Sequence, residues 1–149
     1  MLDSDLLIPG RILAGVVINS KKRLFELISE TLARKNVELS SRDIFESLCA
    51  REQLGSTALG NGVAIPHGRV SNTDGAEVLF LQLAKPLPFG DHNAMPVDLI
   101  YALAIPMQCT EEHSELLRSI ADRFSDPRLI EQLRKAQDTN ELWQLLSNS

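Results

Sequence analysis

The sequence predicts a three-layer α/β sandwich, a mixed central β-sheet with helices on both faces. Two runs, AEVLFLQLA over residues 76–84 and PVDLIYALAIP over 96–106, are apolar on both alternating faces. Strands of that kind need cover on both sides. Amphipathic segments at 20–54 and 111–147 come in consecutive groups rather than in strict alternation with the strands. That order argues for a sandwich with mixed connections over a fully alternating doubly wound fold.

Each element follows from local chemistry. Residues Leu6 to Ile18 are rich in β-branched side chains but broken by Pro9-Gly10 and Gly15, which predicts a short strand or two with a turn. Asn19 or Ser20 caps a helix running to about Arg34, with Leu24, Leu27, Ile28, Thr31 and Leu32 on one stripe. Ser40 with Asp43 resembles a capping box and opens a second helix carrying Ile44, Phe45 and Leu48, stopped near Gly55. Residues 55–68, GSTALGNGVAIPHG, read as a loop, a short strand at Val63-Ala64-Ile65, and a turn. The last third is helical. Leu116, Leu117, Ile120, Ala121 and Phe124 form a stripe, Asp126-Pro127 ends that helix and caps the next, and Asp138 with Glu141 caps a last helix bearing Leu142, Trp143, Leu145 and Leu146. Trp143 belongs to the core on this pattern.

The 149 residues are one domain's worth of chain, and the reading is of a single domain over 1–149. Apolar residues at 44% and charged residues at 23% exclude a disordered chain. With 15 basic and 20 acidic side chains, the net charge is −5 and the pI about 5.2. That balance argues against nucleic acid and against an anionic membrane surface as partner. No run approaches the ~20 apolar residues of a membrane span, so no membrane insertion is expected. Two acids stand where a secretory signal would carry basic residues. Cys49 and Cys109 lack metal or redox spacing and read as reduced, half-buried thiols of a cytoplasmic protein.

The chemistry-bearing motifs narrow by elimination. Gly60-Asn61-Gly62 begins like GxGxxG, but Ile65 stands where the third glycine belongs. The phosphate-binding loop of ATP enzymes, HExxH, paired metal-ligand spacing and GxSxG are all missing. His67 remains, between Pro66 and Gly68, an imidazole expected at a strand end with open space in front. From the residues alone it is either a turn histidine bonded to a backbone carbonyl or a neutral nucleophile. His92 reads as a loop residue without a role. Asp98, inside an apolar strand, needs a partner or a strand-end position that the sequence does not identify.

The stretch REQLGSTALGNGVAIPHG, Arg51 to Gly68, resembles the active-site signature of the fructose/mannitol-type enzyme IIA domains of the bacterial sugar phosphotransferase system. Its strongest likeness is to the nitrogen-regulatory branch, and it extends through SKKRLFELI and PVDLIYALAIP over nearly the whole chain. The resemblance implies a mixed sheet between helices, and that His67 accepts a phosphoryl group. It also implies that His113, in TEEHSELL, is a second histidine near the site, and that Arg51 and Ser56 are the signature's arginine and serine. The implied donor is phosphorylated HPr or its nitrogen-branch relative, with no ATP, metal or other cofactor. The implied recipient is a regulatory target or, in a sugar-specific member, an enzyme IIB.

The residues fit that chemistry. Gly60 and Gly62 read as a backbone nest for the phosphate, Ser56 and Thr57 as hydroxyl donors, and Arg51 as a planar fork. Ser56 and Thr57 are equally readable as loop formers, and Arg51 as a partner of last-turn carbonyls. His113, in the first turn of a helix beginning near Thr110, reads as a neutral N–H donor to the phosphate or as a solvated helix residue. A third reading of the whole chain is an interaction module of the same fold that is never phosphorylated.

Overall fold

The computed structural model describes residues 6–34, 38–90, 95–108 and 111–148. A single 3₁₀ turn, Pro9–Arg11, leads into strand β1, Ile12–Val16. Helices α1, Lys21–Arg34, and α2, Ser41–Leu54, follow. Then come β2, Val63–Ala64; β3, His67–Val70; β4, Glu77–Leu87; and β5, Val97–Pro106. Helices α3, Glu111–Arg123, α4, Pro127–Lys135, and α5, Thr139–Ser147, complete the described chain.

The expected helix starts are where the polar side chains put them. Ser20 Oγ accepts from the Arg23 amide at 3.1 Å, and Ser40 Oγ from the Asp43 amide at 3.2 Å. Asp126 accepts from the Arg128 amide at 3.0 Å with Pro127 in the first turn, and Asp138 from the Glu141 amide at 2.9 Å. Each such bond satisfies one amide that the helix itself leaves without a partner, a contribution of ~1 kcal/mol.

The sheet is mixed, in order β1-β4-β5-β2, with β3 also paired to β5. β1 runs parallel to β4, β4 antiparallel to β5, and β2 and β3 parallel to β5. Strand alternation divides the apolar side chains between two cores. Val78, Phe80, Leu99, Tyr101 and Leu103 pack with Leu116, Ile120, Leu133 and Leu142 from the three C-terminal helices and with Phe124, just after α3. Leu79, Leu81, Ile100, Ala102 and Ala104 pack with Leu24, Ile28, Leu32, Ile44 and Leu48 of α1 and α2. This is the three-layer arrangement expected, and Trp143 is partly buried against the first core.

One segment departs from expectation. The strand at Val63 does not end in a turn at His67. It halts at Ile65-Pro66 and resumes as β3, with Val63 opposite Leu99 and His67 opposite Leu103, so the register carries through without slip. Proline has no amide to donate, which interrupts the ladder for one step without bending the chain away. His67 therefore begins a strand. Gly68 does not leave open space either. A Cβ there would stand 2.9 Å from the Ser47 carbonyl carbon, so its glycine lets α2 approach β3, where Ser47 Oγ donates to Arg69 O at 2.7 Å.

Candidate functional site

The site is built on a narrow hairpin between α2 and β3. The Gly55 amide donates to Glu52 O at 3.2 Å and closes α2, and Arg51 Nη1 donates to Gly55 O at 2.9 Å. The chain then runs back antiparallel to Val63–Ile65. The Ile65 amide donates to Thr57 O at 3.1 Å, the Leu59 amide to Val63 O at 2.8 Å, and Ala58 bridges Ala64. Ser56 stands at the His67 end of this hairpin, and Gly60-Asn61-Gly62 forms its tip.

His67 is half-buried, and its Nδ1 lies 2.7 Å from Ile65 O. A carbonyl oxygen can only accept, so Nδ1 carries the hydrogen of the neutral ring and Nε2 keeps a free lone pair. Burial pushes the His67 pKa below its ordinary 6.5. The Ile65 carbonyl pulls it back up, the Arg51 cation lowers it further, and Glu52 opposes Arg51.

The structure sorts the expected site residues into two groups. His67, Arg51 and Ser56 belong to one end of the hairpin. The Arg51 guanidinium, now on Gly55 O, acts electrostatically on His67. Ser56 Oγ accepts from the Ala58 amide at 3.2 Å, and no hydrogen bond donated by its hydroxyl occurs among the described residues. His113 is 8% exposed in the first turn of α3, so it is no solvated surface residue.

Thr57 and the two glycines make other contacts in this structure. The Thr57 hydroxyl donates to Glu52 Oε1 at 2.7 Å and is buried, which commits it elsewhere. Gly60 and Gly62 occupy the distant tip. Five extended residues at ~3.3 Å each put Gly62 about 16 Å from His67 along the strand. Their φ values of +94° and +86° are what the turn demands of glycine, and Gly62 lacks a Cβ where the Arg134 guanidinium lies. His92, Cys109 and Thr110 lie outside the described residues. Cys49 is a free, half-buried thiol, and burial pushes its pKa up.

Two charged hubs escaped the sequence. Asp98 finds its partner in Arg134 of α4, whose Nε donates to both carboxylate oxygens at 2.8 and 3.0 Å while Nη2 donates to Asn61 O at 2.8 Å. The Asp98 and Leu99 amides hold Gly62 O at 2.9 and 3.2 Å, and Asn61 Nδ2 donates to Phe124 O at 2.9 Å. At the other end, Glu52 binds Thr57 and, at 2.7 Å, Lys21 Nζ. Glu52 lies inside the quoted signature but off any helical or strand spacing to Thr57; Arg134 is 36 residues from Asp98. Among the described residues there is no cluster of three or more His, Cys, Asp or Glu able to hold a metal ion, and no helix long and apolar enough to cross a membrane.

Comparison with known proteins agrees with this architecture. The chain is 43% identical over 142 residues to the nitrogen regulatory protein of Pseudomonas aeruginosa, covering 95% of this chain and 92% of that one. It is 41% identical over 131 residues to the nitrogen regulatory protein of Escherichia coli, covering 87% and 80%. The crystal structure of nitrogen regulatory protein IIA-Ntr from Neisseria meningitidis superposes with a TM-score of 0.88 at 39% identity, covering 96% and 97% of the two chains. The fold alone is shared with IIA mannitol from Escherichia coli, at a TM-score of 0.78 and 24% identity over 94% of this chain and 98% of that one. Residues 6–149 match the family described as the phosphoenolpyruvate-dependent sugar phosphotransferase system, EIIA 2, and the chain belongs to that family.

Proposed function

We propose that this chain is a cytoplasmic phosphocarrier and regulator that takes a phosphoryl group on His67 Nε2 from a phosphorylated histidine of an HPr-type protein. The observation that carries the reading is the 2.7 Å contact between His67 Nδ1 and Ile65 O, which leaves Nε2 as the ring's free base. In the transfer, the Nε2 lone pair forms the new N–P bond as the donor's N–P bond breaks, and that electron pair returns to the donor's ring nitrogen. The Nδ1–H stays on Ile65 O and spreads the positive charge the ring acquires. Arg51 exchanges Gly55 O for phosphate oxygens, and Ser56 donates its unused hydroxyl. His113, at a helix start that favours anions and neutral side chains, supplies an N–H.

The regulatory half of the reading rests on relatives named nitrogen regulatory proteins at 41–43% identity, against 30% for a mannosylglycerate-specific transport component. The test is incubation with phosphorylated HPr-type donors. The wild type is expected to gain acid-labile, base-stable label, and His67→Ala none. Equal labelling of the variant, or an unlabelled wild type, overturns the proposal. Onward passage of the label to an enzyme IIB and a sugar replaces the regulator with a sugar-specific carrier.

A further inference from the structure

Glu52 has no part in the transfer as drawn above, yet it is the most heavily bonded carboxylate near His67. Its side chain is 7% exposed. It accepts from Thr57 Oγ1 at 2.7 Å, and from the Thr57 amide at 3.3 and 3.2 Å through its two oxygens. Lys21 Nζ stands 2.7 Å from it, and that lysine is tethered in turn by Phe89, donating to its carbonyl at 3.3 Å and lying 4.4 Å over its ring. A carboxylate withdrawn from water is costly unless paired and fully hydrogen-bonded, and this one is both. Apart from the lysine, every one of these side-chain bonds goes to Thr57, the residue after Ser56.

We infer that Glu52 is a positioning residue for phosphoryl transfer: acting through Thr57, it locks the hairpin arm so that Ser56 stands ready at His67 before the phosphate arrives. The inference rests on the phosphocarrier reading and adds to it a residue that touches neither phosphate nor His67. Donors fixed in advance stabilise developing charge without reorganising during the reaction. The α2 helix supplies the fixed frame. Glu52 projects from its last turn, and the arm begins only after Gly55. Without the carboxylate, the arm keeps its backbone pairing at Ile65 but loses the three contacts that hold its first residues.

The test compares the rate of label uptake from a phosphorylated HPr-type donor in five proteins: wild type, Glu52→Ala, Glu52→Gln, Thr57→Val and the Glu52→Ala/Thr57→Val double variant. A misplacement of about 1 Å costs up to ~100-fold in rate, so Glu52→Ala is expected to be slower by roughly 10- to 100-fold. Glu52→Gln still accepts from Thr57 and is expected within about threefold of wild type, because its oxygen serves where the charge does not. The Glu52→Ala/Thr57→Val double variant is expected to be slower than wild type by much less than the product of the single effects, since both act through one contact. A Glu52→Gln protein as slow as Glu52→Ala overturns the inference in favour of a direct charge effect on His67. Multiplicative single effects, or a Glu52→Ala protein as fast as wild type, also overturn it. If Glu52→Ala does not fold, Thr57→Val and Glu52→Gln decide: Thr57→Val is expected to be slower than Glu52→Gln, and equality with wild type refutes the role. An unlabelled wild type defeats the phosphocarrier reading and this inference together, whereas a labelled wild type with an equally fast Glu52→Ala defeats the inference alone.

Discussion

A phosphoryl-accepting imidazole needs a lone pair on one nitrogen and a proton on the other, and at His67 a single carbonyl arranges both. The electrostatics keep it so. Burial and Arg51 lower the pKa below 6.5, and Ile65 O and Glu52 oppose them without reversing the direction. The folded protein therefore binds fewer protons at this ring than the unfolded chain does. The associated stability is present above about pH 6.5 and is lost as pH falls through the depressed folded value. An NMR titration of the His67 ring is expected to give a midpoint below 6.5, and phosphoryl uptake to hold level down to that pH before declining. In Arg51→Gln the midpoint moves up towards the ordinary value, because the cation that disfavours imidazolium is gone. A wild-type midpoint at or above 6.5 contradicts the assignment of a neutral acceptor.

At the scale of elements, the hairpin between α2 and β3 is clamped at both ends, and the far clamp is a matter of stability. Arg134→Gln leaves the Asp98 carboxylate, 18% exposed, without its counter-ion. Breaking a deeply buried pair costs about 3–5 kcal/mol, and partial exposure here reduces that to about 1–2. For a chain of this length the thermal midpoint is expected to fall by about 2–4 °C per kcal/mol. An Asp98→Asn/Arg134→Gln double variant, which leaves no charge stranded, is expected to recover part of the loss; additive losses in calorimetry refute the coupling. Gly62→Ala is expected to be destabilising too, because a Cβ meets both a φ of +86° and the Arg134 guanidinium. These clamps also explain what the sequence revealed and what it concealed. Helix caps and apolar periodicity are short-range signals, so α2, α4, α5 and the two-faced strands β4 and β5 were readable. The resemblance singled out His67, His113, Arg51 and Ser56. The glycines were ambiguous in sequence, because a left-handed turn and a phosphate nest ask for the same residue, and the structure shows Gly60 and Gly62 with the positive φ of a turn beside the Val63–Leu99 pairing. The partner of Asp98 was illegible because it belongs to another layer of the sandwich.

At the scale of the molecule, the fold leaves little slack for a large rearrangement on phosphorylation. His67 starts a strand paired to the central β5, and behind it Gly68 touches α2 with no room for a methyl group. Both faces of β5 are covered by packed cores. Signalling at the proposed phosphosite is therefore a change of charge more than of shape. A phosphoryl group adds about −1.5 to −2 at neutral pH, by analogy with phosphorylated hydroxyl residues. It does so on a chain already at −5. The added charge is concentrated where Arg51 is the cation that acts on His67, so a partner that docks acidic or apolar surface against the site is repelled or left with unpaired charge. Two measurements follow from that picture. Backbone amide shifts on phosphorylation are expected within about 51–69 and around His113, leaving the cores of α4 and α5 in place. Partner affinity is expected to change by a factor that shrinks as salt is raised, since surface charges separated by more than ~8 Å are largely screened at physiological ionic strength. Shifts spreading through α4 and α5, together with a salt-independent change in affinity, would mean that the fold is a conformational switch and that the packing around β3 and β5 yields where this structure shows it tight.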